Sequence, residues 1–208
     1  MADKKDELPE HIAKFQKLSK AAKKMLSTME RNHRGAYDAA VDKHLMKDGQ
    51  VDTDLLDDDS VQEKFANEMA DHYIAKAKQV FKVKEGEKEK LGDMEKELLM
   101  NAYAGTTKAQ LLQHIRQYGK RFTFDHFYGE LRPGMTEQIQ NNLTAASASH
   151  LKKEHIGDIV KYTGVSKFVD KDRMRIDDAV GLLRVYEEQG VIAEKALKKA
   201  LYYKKPAK

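Results

Sequence analysis

Residues 9–47 read PEHIAKFQKLSKAAKKMLSTMERNHRGAYDAAVDKHLMK. Within this stretch Ile12, Phe15, Leu18, Ala22, Leu26, Met29, His33, Tyr37, Val41 and Leu45 recur in steps of three and four. An α-helix turns once in 3.6 residues, so this spacing keeps the whole series on one side of one helix. Lys14, Lys17, Lys20, Lys23 and Lys24 occupy the opposite face. Pro9 stands where the first helical turn tolerates proline. Gly35 permits a hinge near Asn32–Gly35, so the stretch is either one helix of about 58 Å or two shorter ones. A straight helix of that length exceeds the ~30 Å span of a small domain. Phe15, Leu18, Leu26 and Met29 are therefore expected to meet a protein partner or a second copy, unless the hinge folds them onto one core.

The same period runs through the rest of the chain. Ser60 with Glu63 has the form of a capping box, followed by Phe65, Met69, Tyr73, Ala77 and Val80. Leu91, Met94, Leu98 and Ala102 make another helix that Gly105 would close, and Thr107 with Gln110 would open the next. Residues 120–134 are dense in aromatics, and the pattern suggests a short helix after Thr123 that ends before Pro133. Thr136 then caps a helix towards His150, and a further one covers about 152–163, closed by Gly164. Ile176 to Tyr186, with Gly190 beyond, gives one more, and 193–203 the last. The chain is thus expected to be all-α, an irregular bundle of eight or nine helices with a long N-terminal helix. The break at 133–134 separates an N-terminal half, 1–132, from a C-terminal half, 135–208. An acidic connector, 48–59, lies within the first, and a basic tail ends the second.

Composition supports a folded but lean core. Leu, Ile, Val and Phe are 44 of 208 residues, just above the fraction below which a chain tends to disorder. The absence of cysteine excludes disulfides, thiolate catalysis, Cys-ligated zinc and iron–sulfur clusters. The mixed-charge N-terminus shows no apolar signal segment, and no run reaches the ~18 apolar residues of a membrane span. A soluble cytoplasmic protein with no membrane role is expected.

Charge is placed unevenly. Residues 48–71 carry nine acidic side chains and one basic, whereas 195–208 carry six lysines and no acid. Residues 105–135 carry five basic and two acidic groups beside Tyr118, Phe122, Phe124, Phe127 and Tyr128. Basic side chains interleaved with aromatics suit phosphates and bases. Arg116, Lys120, Arg121 and the tail residues Lys198, Lys199, Lys204 and Lys205 are therefore expected to contact nucleic acid or a ribonucleoprotein. Ala104-Gly105-Thr106-Thr107-Lys108-Ala109-Gln110-Leu111-Leu112-Gln113-His114-Ile115 resembles the turn and recognition helix of tetracycline-repressor-type regulators. That resemblance implies a helix-turn-helix presenting Thr107, Lys108, Gln110 and Gln113 to DNA. It departs from the pattern at Asn101, where alanine is usual, and in lying mid-chain.

Catalytic and metal signals are thin. Nucleophile elbows, P-loops and dinucleotide fingerprints are absent from the sequence. A calcium loop counted from Asp52 meets Asp54 and Glu63 at ligand positions, but has Leu56 at a ligand position and Asp57 where the turn needs glycine. His150, Glu154 and His155 resemble an inverted zincin with one residue too many, and on one helix His155 would point about 140° from His150. Glu68 with His72, and Glu30 with His33, are isolated pairs. The expectation is a non-enzymatic helical binding protein with no metal or cofactor. A protein–protein scaffold is the alternative, and a metal-dependent enzyme the second.

Overall fold

The computed structural model describes residues 8–82, 91–190 and 192. The described residues form six α-helices and a two-stranded hairpin, so the all-α class holds. The helices are α1 (Glu10–His44), α2 (Asp59–Lys78), α3 (Asp93–Tyr118), α4 (Arg132–Ala148), α5 (Ile156–Tyr162) and α6 (Ile176–Gln189). Strands β1 (Met46–Lys47) and β2 (Gln50–Val51) pair antiparallel between α1 and α2. Two compact units emerge: Ala21–Asn142, and the residues up to Lys20 together with those from Leu143 onward. The first third of α1 thus belongs to one unit and the remainder to the other.

The count of six among the described residues differs from the expected eight or nine, and one cause is Gly105. It lies inside α3, which runs unbroken for 26 residues. Leu99, Tyr103, Thr106, Thr107, Leu111 and Ile115 form one buried line across the glycine. That continuous packed face outweighs the ~1 kcal/mol that glycine costs a helix interior. Pro133 and Gly134, expected to break the chain, stand in the first turn of α4. A π-helical turn at Phe127–Leu131 leads directly into α4, and buries both Phe127 and Leu131. The expected last helix, 193–203, lies outside the described residues.

α1 is one helix, with no break at Gly35. Its apolar series is buried from Ile12 to Leu45, with Tyr37 half-buried. Phe15, Leu18, Leu26 and Met29, expected to be held out for a partner, are themselves buried within this chain at 3, 1, 7 and 0% exposure. Packing within the chain covers most of each of these four side chains.

The connector 48–59 is more ordered than its composition implied. Asp48 and Gly49 take positive φ, 51° and 81°, the backbone of a tight hairpin turn. A 3-10 turn (Thr53–Asp57) follows, with Leu56 buried beneath it. α2 is capped by Asp58, whose Oδ1 accepts from the Ser60 and Val61 N–H groups at 2.8 and 3.1 Å, rather than by Ser60.

In the unit Ala21–Asn142, α2 packs along α3, and Phe65, Met69 and Tyr73 of α2 are buried. His33 enters this core fully buried. In the other unit α5 packs on α6. Its core joins Ile12 and Phe15 of α1 to Ile156 and Ile159 of α5 and Val180 and Leu183 of α6. No described helix is long and apolar enough to cross a membrane.

Candidate nucleic-acid interface and histidine cleft

The described residues expected to read nucleic acid differ in burial and in charge pairing. Thr107 is fully buried, beside Tyr103 one turn earlier. With Gly105 inside α3 there is no turn, so the helix-turn-helix geometry is absent. Lys108 is paired with Asp71 at 3.3 Å. Gln110 is half-buried, and Gln113, Arg116 and Arg121 are exposed. Lys120 lies between Asp54 and Asp57, at 3.2 and 3.7 Å. Hydrogen bonding to Asp54 and the charges of both carboxylates hold its ammonium above the ordinary lysine range. The acidic connector therefore neutralises the very lysine that the aromatic-basic pattern singled out. Lys198, Lys199, Lys204 and Lys205 lie outside the described residues.

A different basic surface does form. Lys17, Lys20, Lys24, Ser27, Arg31 and Arg34 are exposed along α1. Their steps of three and four place them on one line of the helix, opposite the buried series. The line spans about 26 Å at 1.5 Å per residue and contains no carboxylate. Glu30 stands off it, bound to Arg132 at 2.5 Å. Arg34 pairs with Asp38 at 3.1 Å and lies 5.0 Å over the Phe124 ring. Among the described residues no acid lies within ion-pair distance of Lys17, Lys20 or Lys24.

The metal candidates separate. Glu68 binds Lys43 at 2.7 Å and lies 3.8 Å from His44, and the Lys43 hydrogen bond holds its carboxyl below the usual range. His72 stands over Gly35 instead. Asp52 caps the 3-10 turn through the Asp54 N–H at 3.1 Å, and pairs with Lys47 at 3.8 Å. Among the described residues no group of three or more His, Asp and Glu is arranged to hold a metal ion.

His150 and His155 nevertheless come together. The chain leaves α4 before His150, and a 3-10 turn (Lys153–His155) precedes α5. The angle argued for one continuous helix does not apply, and both side chains line one cleft of about 250 Å³. His11 of α1 joins them. Its ring stacks on His155, with centroids 4.2 Å apart and planes 4° from parallel. Its Nε2 is buried, makes no hydrogen bond, and lies 3.7 Å from an Asp158 oxygen. Burial, then the His155 charge, push its pKa down, while Asp158 and Glu10 pull it up. His155 Nδ1 accepts from the Lys152 N–H at 3.1 Å, which leaves the neutral ring's proton on Nε2. Phe15, Leu18 and Leu151 supply apolar walls, and Glu10 and Lys14 complete the lining. Sequence reasoning missed His11 because no local pattern links it to residues at the far end of the chain.

Compared with known proteins, the chain matches no family model, no curated protein and no solved structure.

Proposed function

We propose that this chain is a non-enzymatic helical binding protein that engages nucleic acid, free or within a ribonucleoprotein, along the basic face of α1. The observation that carries the reading is the line of Lys17, Lys20, Lys24 and Arg31, exposed and uninterrupted by acid. Lys17, Lys20 and Lys24, about 5 Å apart along the helix, suit a phosphate backbone, whose bound counterions are released on contact. Nothing in that row is shaped to read base edges, so binding is sequence-tolerant. Fluorescence anisotropy with duplex DNA, single-stranded DNA and structured RNA tests it, at low and physiological salt. Binding that weakens steeply with salt and is lost on Lys17→Glu, Lys20→Glu, Lys24→Glu supports it.

No binding to any of the three at low salt favours the helical scaffold. A specific feature supports that second reading. Met46 and Val51 face each other across the hairpin at 42 and 53% exposure, an apolar pair that a protein partner could cover.

A further inference from the structure

The histidine cleft combines features that the basic face of α1 does not share. It is concave, one side is apolar, and three imidazoles line it. Its volume of about 250 Å³ lies below the usual range for drug-sized ligands, so it admits a compact molecule only. Phe15 and Leu151, at 3 and 8% exposure, present hydrocarbon. Imidazoles of His11, His150 and His155 and the Lys14 ammonium line the same space. The carboxylates nearest the stacked pair, Asp158 and Glu154, have side chains 54 and 70% exposed, so water screens much of their charge. Glu10 is likewise exposed.

We propose that this cleft is a binding site for a small aromatic carboxylic acid, its ring against Phe15 and Leu151 and its carboxylate against the histidines and Lys14. Stacked imidazoles 4.2 Å apart resist double protonation, because two like charges at that separation repel. A carboxylate placed beside them offsets that repulsion and favours the protonated rings. Binding therefore takes up a proton, and tightens as pH falls from 8 to 6. The groups that face the pair are Glu10 and Lys14 on α1, Glu154 on the 3-10 turn, Asp158 on α5, and His150. The proton taken up goes to imidazole, the side-chain type whose charge ordinarily changes between pH 5 and 8.

Isothermal titration calorimetry of the full chain with 2-naphthoate and with its neutral isostere 2-naphthamide decides the matter. The expected result is saturable naphthoate binding at least about tenfold tighter than the amide, the margin of one charge-assisted hydrogen bond. Heats should depend on the buffer's ionisation enthalpy, which reports proton uptake. His155→Gln should change that dependence, because His155 is one of the three imidazoles in the cleft. His150→Trp, at a half-buried loop position, should fill the cleft and block binding while leaving the far-UV circular dichroism unchanged. Equal affinity for acid and amide, binding indifferent to His150→Trp, or no saturable binding of either probe overturns the proposal.

Discussion

His33 of α1 and Tyr73 of α2 are hydrogen-bonded inside the core, the tyrosine hydroxyl donating to His33 Nδ1. His33 Nε2 then donates to the Phe124 carbonyl at 3.1 Å, and the ring lies 3.8 Å from that of Phe127. In the neutral form both ring nitrogens are satisfied, one accepting and one donating. Burial pushes the His33 pKa down to about 4, against the opposing pull of the Phe124 carbonyl.

Acid should therefore loosen this unit before its carboxylates titrate. Between about pH 6.5 and 4 the unfolded chain binds a proton at His33 that the folded chain refuses. Stability is then fully present above the unfolded pKa and is lost as pH falls through that window, by up to about 3 kcal/mol. Burial lowers His11, His72 and His114 in the same direction. Urea midpoints at pH 7.5 and 5.0 should differ in the wild type, and differ less in His33→Phe. An equal pH response in both proteins would remove His33 from this role.

Gly105→Ala should stabilise the protein by about 0.5–1 kcal/mol. Gly105 does not have positive φ, and a Cβ there would meet nothing within 4 Å. If residues 104–107 formed a turn closed by a left-handed glycine, the same substitution would destabilise. The sign of the shift in urea midpoint separates a continuous α3 from a helix-turn-helix.

Asp58→Ala should cost about 1 kcal/mol, because two N–H groups at the start of α2 would be left without their acceptor. Ser60→Ala, at a residue inside the helix, should cost much less. A larger loss at Ser60 than at Asp58 in thermal or urea unfolding would reverse the assignment of the cap.

Replacing Lys17, Lys20 and Lys24 by glutamine should reduce the salt slope of DNA binding by about 2.7, at ~0.9 for each phosphate that is no longer neutralised. Lys108→Gln and Lys120→Gln should leave affinity nearly unchanged, since Asp71, Asp54 and Asp57 already hold those lysines. A larger effect from Lys120 than from the α1 lysines, measured by anisotropy at several salt concentrations, would move the interface to the aromatic-basic segment.

The helical path of 10–44 and the identity of its buried face were legible in the sequence. A helix is made by hydrogen bonds four residues apart, and the spacing of Ile12, Phe15, Leu18 and their successors carries that period directly. The end of α6 was equally local: Gly190 takes φ of 74° and its N–H closes on the Tyr186 carbonyl at 2.7 Å. What Gly105 does was not local. A glycine after a helical run reads as a stop, and only the packing of Tyr103, Thr107 and Leu111 into one core carries α3 past it. The charge of Lys120 is likewise legible, but its neutralisation depends on a connector some sixty residues earlier folding back beside it. His11 and His155 are the extreme case. Nothing within a helical turn of either residue specifies that their rings stack, because that contact exists only once the start of α1 has packed into the core formed by α5 and α6.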